Sequence, residues 1–203
     1  MEIRLHNMIM HTRVLGPGVR TAVWLQGCLR TCENCMSPAS RPVDGGRMVD
    51  ADDVIEAIIS TSDIEGVTIS GGEPFLQPLV LHYVLKSIRE QSDLGIIIYT
   101  GYTIRELKDL CIPQIDDIIT CMADLIIDGE YVDELNDGRA LIGSRNQSLN
   151  FITDRYRSFE YIYNSKERNT EIIATEKEVF LMGIPSKDNY LKWLKMTAEL
   201  KKM

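Results

Sequence analysis

The chain has 203 residues, 44% hydrophobic and 26% charged, ordinary for a globular protein and long enough to bury a core. Its formal net charge of −8 argues against nucleic-acid backbone binding, which needs a basic footprint. No apolar run is long enough to span a membrane, and the opening "MEIRLHNMIMHTRV" lacks the pattern of a secretory signal, so the cytoplasm is the expected compartment.

The periodicity predicts alternating elements from Thr21 onward. "TAVWLQ" (21–26) is a β-prone run leading into "GCLRTCENC", where Cys28, Cys32 and Cys35 stand at spacing C-x3-C-x2-C. "ADDVIEAIIST" has helical spacing, with Val54, Ile55, Ile58 and Ile59 on one face and Asp52 and Asp53 suited to a helix N-terminus. "GVTISGG" is a strand ending in glycines, and "PLVLHYVLKSIREQS" a helix with an apolar stripe. "LGIIIYTGY" is too apolar for alternation and is expected to be covered on both faces. "TIRELKDL" is a short helix with Thr103 and Glu106 as a capping-box pair, and "ADLIIDG" is another buried strand.

Beyond Asp137 the expectations are a loop over "GRALIGSRNQSLNF", a hairpin of "TEIIAT" and "EVFLMGI" around "EKE", and a terminal helix over "KDNYLKWLKMTAELKKM". That helix carries Leu191, Leu194 and Ala198 on one side, and its basic end complements the helix dipole. The succession of strand, helix and strand predicts an α/β fold with a parallel sheet. In such sheets the functional loops gather beyond the carboxyl ends of the strands. "GCLRTCENC", "SGGEP", "YTGY" and "IDGEY" each follow a predicted strand, so one rim assembled from distant loops is the expected site.

The five cysteines do not form a disulfide framework in a chain with no export signal. Cys111 and Cys121 sit in apolar surroundings and read as buried structural thiols. Three readings compete for the other three: incidental thiols, a zinc site, or an iron–sulfur cluster. Structural zinc takes four ligands, commonly as paired half-sites, and no second C-x2-C or paired histidine accompanies these cysteines. A four-iron cluster usually takes four thiolates. Three from one loop leave one iron open to a small molecule.

C-x3-C-x2-C after the first strand of this alternation, followed by "SGGEP" (70–74) after the second, resembles the radical S-adenosylmethionine (SAM) enzymes. The resemblance implies a partial (β/α) barrel of mainly parallel strands with a C-terminal β-hairpin and helix. It implies one domain over 1–203, with a core at about 16–137 and an extension at about 138–203. Cys28, Cys32 and Cys35 would ligate a [4Fe-4S] cluster whose open iron binds S-adenosyl-L-methionine. Reductive cleavage would then yield a 5′-deoxyadenosyl radical that abstracts hydrogen from a substrate.

"LGPGVRTAVWLQGC", "IYTGYTIREL", "LIIDGEYVDEL", "LIGSRNQ" and "FLMGIP", spread from about Gly16 to Pro185, narrow the resemblance to glycyl-radical-enzyme activases, the anaerobic ribonucleotide reductase activating group in particular. It implies that Gly71, Gly72 and Glu73 contact or support the methionine moiety and that Thr100, Gly101, Tyr102 and Asp128 lie close to the cofactor. For Asp128 an ordinary strand-end turn is the alternative. Arg20 and the Gly16-Pro17-Gly18 turn would shape the cluster rim, and Asn146 and Gln147 are candidates for partner or cofactor contacts. Asn34 occupies the place before the third cysteine where many of these enzymes carry an aromatic packing near adenine, and Ser37 stands where the activating group has asparagine. Residues 155–178 match no part of that pattern.

The leading expectation is an activase that draws on a low-potential electron donor and removes a Cα hydrogen from a glycine of a large partner enzyme, anaerobic ribonucleotide reductase. A radical modifier of a ribosomal peptide or small metabolite is the second. An iron–sulfur electron carrier or sensor is the third, and it would need neither "SGGEP" nor an open iron.

Overall fold

The computed structural model describes residues 1–174 and 179–200. Four β-branched-rich strands form the parallel centre of a seven-stranded sheet: β2 (Arg20–Leu25), β4 (Gly66–Gly71), β5 (Gly95–Tyr99) and β6 (Leu125–Asp128). β1 (Glu2–Thr12) runs antiparallel between β2 and β3 (Arg47–Asp50), and β7 (Ser148–Phe151) closes the other side antiparallel to β6. The order β3-β1-β2-β4-β5-β6-β7 ends at two edges. The expected mainly parallel α/β core is present, and among the described residues the sheet stays open at both edges.

Alternation along the strands divides the core into two faces. Val23, Leu25, Val67, Ile69, Ile96, Ile98 and Ile126 pack against α1 (Ala51–Ile59), α2 (Pro78–Gln91), α3 (Ile104–Asp109) and α4 (Pro113–Asp117). On the other face Ile97, Leu125 and Ile127 meet Leu141, Ile142, Tyr156 and Tyr163, the last on α5 (Glu160–Asn164). Ala22 on that face meets Val14, Leu15 and Met182. Covering on both faces explains why β5 and β6 are continuously apolar.

Met182 belongs to a separate hairpin, β8 (Thr170–Ala174) with β9 (Val179–Gly183). The expected "EKE" turn of that hairpin lies outside the described residues, as does the basic end of the last helix. That helix, α6 (Lys187–Leu200), forms where expected. Leu191 and Leu194 are 56% and 45% exposed, while Tyr190, Trp193 and Thr197 are the partly buried positions. The stripe shielded from solvent is thus the one carrying Tyr190, Trp193 and Thr197, not the one carrying the leucines.

The alternating pattern is read only from Thr21 onward, yet β1 (Glu2–Thr12) is the longest strand among the described residues, its alternation obscured by a bulge between Leu5 and Asn7. Two further expectations change. The end of "GRALIGSRNQSLNF" is β7, paired with β6, not loop. Cys111 and Cys121 are exposed: Cys111 takes a left-handed backbone (φ +53°) beyond the end of α3, and the Cys121 thiol donates to the Asp117 carbonyl at 3.2 Å.

Arg20 is fully buried at the amino end of β2, the end opposite the cysteine loop. Its guanidinium donates to Thr68 Oγ1 (2.7 Å), the Pro17, Val67 and Gly95 carbonyls (3.2, 2.7 and 2.9 Å), Tyr156 Oη (2.7 Å) and the Glu65 carboxylate. It therefore cross-braces β2, β4 and β5 at their base and does not shape a cluster rim. A Cβ at Gly66 would lie 2.1 Å from the Gly95 carbonyl oxygen, so only glycine lets the strands approach there.

Asp124 makes a second brace at the start of β6. Its buried carboxylate accepts from Ile96 N (2.8 Å), Arg89 Nη2 (2.7 Å) and Thr153 Oγ1 (2.7 Å). Burial alone would raise its pKa, but the bonds from Thr153, Arg89 and Ile96 outweigh it and leave the carboxyl below its ordinary value. A carboxyl with a depressed folded pKa contributes stability above its unfolded value, and the contribution is lost as pH falls through the folded one. Asp124→Asn should therefore flatten the acid limb of stability and cost about 1–3 kcal/mol at neutral pH, read from urea midpoints across a pH series.

Candidate functional site

The carboxyl ends of β2, β4, β5 and β6 deliver their loops to one cavity of about 270 Å³. Cys28, Cys32 and Cys35 line it, with Ser70 and Gly71 at the end of β4, Gly72 and Glu73 after it, Thr100 and Gly101 after β5, and Gly129 after β6. The rim expected from the sequence is thus brought together in space.

The glycines of "SGGEP" dock this loop onto the cysteine loop. Gly72 N donates to the Leu25 carbonyl and Glu73 N to the Gly27 carbonyl, each at 2.8 Å. Gly71 has φ +116°, and a Cβ there would sit 2.3 Å from the Leu25 carbonyl oxygen. A Cβ at Gly72 would sit 2.2 Å from that of Gly27. Neither position has room for a side chain.

Glu73 is 1% exposed and fastens the loops after β4 and β5 together. One carboxylate oxygen accepts from Phe75 N (3.0 Å) and Thr100 Oγ1 (2.8 Å), the other from Gly101 N (2.8 Å). Burial raises its pKa, against the opposing pull of those bonds and of Arg30.

Arg30, with Arg13, Arg20, Arg41 and Arg47 one of the arginines that cluster in the first quarter of the chain, lies inside the cysteine loop. It donates to Glu130 (3.0 Å) after β6 and Glu106 (2.8 Å) on α3, and stacks 4.5 Å from the ring centroid of Tyr102. One side chain therefore links three rim loops. Glu106 serves twice, since its carboxylate also completes the capping box with Thr103 N at 2.7 Å.

Three expected site residues stand away from the cavity wall. Asp128 Oδ2 accepts from Ile104 N at 2.7 Å, holding the start of α3. Asn34 has φ +52° and donates to Asp133 Oδ2 at 3.1 Å. The Tyr131 hydroxyl first, then Lys187 and Asn34, hold the Asp133 carboxyl down at about 2. Tyr102 is engaged by Arg30. Gln147 lines the cavity, but its amide is used internally, donating to the Gly129 carbonyl (2.8 Å) and accepting from Gly143 N (2.9 Å). Asn146 donates to the Glu130 carbonyl at 2.8 Å and lies outside the lining.

His6, Asn7 and Trp24 also line the cavity, which no motif announced. Leu5 pairs with Leu25 and Asn7 with Trp24, so His6 is the extra residue of the β1 bulge. Bulges re-aim side chains, often beside active sites. Gln26 Nε2 donates to the Ala39 and Pro42 carbonyls (3.2 and 2.8 Å), so its Oε1 accepts the Nδ1 proton of His6 at 2.8 Å. The outer wall of the cavity is Phe180 to Gly183 of β9, with Ile184.

Among the described residues, no three His, Cys, Asp or Glu side chains close on a single metal ion. The three half-buried thiols instead share a cavity with no carboxylate left unpaired beside them, a soft donor set that fits an iron–sulfur cluster. Burial raises the Cys28 and Cys32 thiols, so binding iron there would displace protons.

The sequence pattern of the family described as a 4Fe-4S single cluster domain matches residues 14–150. The chain is 30% identical over 152 residues to the anaerobic ribonucleoside-triphosphate reductase-activating protein of Vibrio cholerae, covering 69% of this chain and 92% of that one. It is 31% identical over 146 residues to the protein of that name from Enterobacteria phage T4, covering 70% and 89%. To the pyruvate formate-lyase-activating enzyme of Clostridium pasteurianum it is 35% identical over 104 residues, 49% of this chain and 44% of that one.

Proposed function

Because the chain belongs to the 4Fe-4S single cluster domain family, among its radical S-adenosylmethionine activating enzymes, we propose that it generates a glycyl radical on a partner enzyme, anaerobic ribonucleotide reductase. Cys28, Cys32 and Cys35 would hold the cluster. The observation that carries this reading is their placement around one cavity with the Gly71-Gly72-Glu73 loop. When bound, a cluster reduced by a low-potential donor and S-adenosyl-L-methionine would supply the radical chemistry that removes a Cα hydrogen from a glycine.

The protein's share is position and exclusion of water. The Gly71-Gly72 backbone, pressed onto the cysteine loop, would set the methionine end of the cofactor against the thiols. Glu73 has both oxygens committed and acts through the loops it fastens, not as a base. Thr100 and Gly101 are held at the wall by that same carboxylate. Asp128 would contribute through α3, and Tyr102 and Asn34 through Arg30 and Asp133.

Glu73→Ala removes acceptors for Phe75 N, Thr100 Oγ1 and Gly101 N at once. Misplacing two loops by about 1 Å costs on the order of 100-fold. The rate of S-adenosyl-L-methionine cleavage should fall by about that factor, and its affinity, measured by anaerobic equilibrium dialysis, should fall with it. An unchanged affinity removes Glu73 from the site.

The function itself is tested by reconstituting the protein with iron, sulfide and a low-potential reductant, then adding S-adenosyl-L-methionine and the reductase of the same organism. Formation of 5′-deoxyadenosine together with an electron-paramagnetic glycyl signal on the reductase is the expected result. 5′-Deoxyadenosine without that signal favours the second reading, modification of a peptide or small metabolite. One feature speaks for it: residues 155–178, which match no part of the activating pattern, lie beyond the matched residues 14–150.

A further inference from the structure

We propose that the free edge of β9 is a docking strand, on which an extended segment of the protein substrate adds as a third strand beside the cysteine loop. The inference rests on the activase reading and names the part of this chain that receives the substrate's main chain.

In a strand, successive side chains face opposite sides. A strand that turns one face to a cavity lines it with alternate residues. Here Phe180, Leu181, Met182 and Gly183 line it in succession, and Ile184 follows. The cavity is therefore bordered by the edge of β9. The other edge pairs with β8 from Val179 to Gly183, and no third strand joins this sheet among the described residues. An unpaired edge presents a row of N–H and C=O groups, the template that strand addition uses.

The edge is held in place. Glu171 of β8 accepts from Thr12 Oγ1 (2.6 Å) and Arg13 N (3.1 Å), anchoring the hairpin to the end of β1. Met182 is buried with Val14, Leu15 and Ala22. At Gly183 (φ +96°) a Cβ would lie 2.7 Å from the Asn169 carbonyl oxygen, so the hairpin closes tightly where β9 ends. A fixed edge lowers the ordering cost that a flexible one would add to binding.

The charges around the cavity select the occupant. Among the described lining residues Arg30 is the one arginine or lysine, and both of its carboxylate partners are already in place. Apart from the cofactor, which the open iron would hold, a phosphate or carboxylate metabolite would find no uncommitted arginine or lysine among the described lining residues. The wall near β9 is apolar, with Leu15, Trp24, Phe180 and Ile184. An uncharged main chain with small or apolar side chains suits it, and the β9 edge supplies the hydrogen bonds that a buried peptide backbone requires.

The test uses the full-length protein reconstituted with iron, sulfide and S-adenosyl-L-methionine. The probe is a bead-displayed library of short peptides with a central glycine, and backbone amide exchange is followed by mass spectrometry. Enriched peptides should slow exchange over 179–184 by about tenfold or more and show selection at alternate positions only. Failure to enrich any peptide, or enriched peptides that leave those amides exchanging as in the free protein, overturns the proposal. Stronger protection by ATP or citrate than by any peptide does so as well. 5′-Deoxyadenosine is measured in parallel on the same preparation. Cleavage without protection of β9 removes this proposal alone, whereas absence of cleavage removes the activase reading beneath it.

Discussion

Cys32→Ala is expected to lose the iron–sulfur chromophore and, with it, reductant-dependent formation of 5′-deoxyadenosine. Cys32 is the middle of three thiols on a single loop, and its removal leaves two ligands for a cluster that usually takes four. Loss of outer-shell partners of a metal ligand typically costs 10–100-fold, and loss of the ligand itself should exceed that range. The fold should survive, because the loop is tied down without iron: Gly27 N and Cys28 N donate to the Ser40 and Arg41 carbonyls at 2.8 and 2.9 Å. Circular dichroism of the variant should match the parent while iron content and cleavage collapse together. A variant that lost its iron yet cleaved S-adenosyl-L-methionine would falsify the radical reading of this site. An electron carrier predicts another pattern, with no binding of S-adenosyl-L-methionine even in the parent.

Arg20→Met should lower stability by about 3–5 kcal/mol, the range for removing one partner of a buried ion pair. Methionine fills much of the space without replacing any of the donors. The Val67 and Gly95 carbonyls, Thr68 and Tyr156 each lose a bond, in addition to the Glu65 pair. Glu65 keeps Arg155 at 2.9 Å and partial access to solvent, which holds the loss toward the lower end. The urea midpoint of the metal-free protein should fall by a large fraction of its value. Cleavage per folded, iron-loaded molecule should stay near the parent's, since the brace lies at the opposite end of the strands from the thiols. A selective loss of iron at unchanged stability would instead restore Arg20 to the cluster rim.

That reversal shows what sequence could and could not reveal. Strands β2, β4, β5 and β6 were legible because apolar runs ending in glycine or a cysteine loop carry their own boundaries. Their common direction then placed Cys28, Gly71, Thr100 and Gly129 at one rim without any coordinates. The capping box of Thr103 and Glu106 was equally local. Arg20 was misassigned because its nearness to the cysteines is along the chain, whereas a strand of six residues separates the two ends in space. Asp128 stands at the right strand end, but its carboxylate direction depends on where α3 begins, which is a tertiary fact. β1 was missed because a bulge breaks its alternation at His6. Leu191 and Leu194 had helical spacing, yet spacing alone does not say which stripe of a helix meets the body. The hairpin was found, but its place on the cavity wall depends on long-range contacts such as Thr12 with Glu171, which no local pattern encodes.

The three-way grip of Arg30 bears on how the protein is loaded and reloaded. Its bonds to Glu106 and Glu130 and its stack on Tyr102 need no iron, so the cysteine loop is already anchored to its neighbours while the thiols are empty. Most of the conformational freedom that cluster capture would remove is thus absent beforehand. Loss of a cluster from such a loop would leave it fastened to the same neighbours, ready to take up another. Reloading would then draw on iron and sulfide and not on new synthesis.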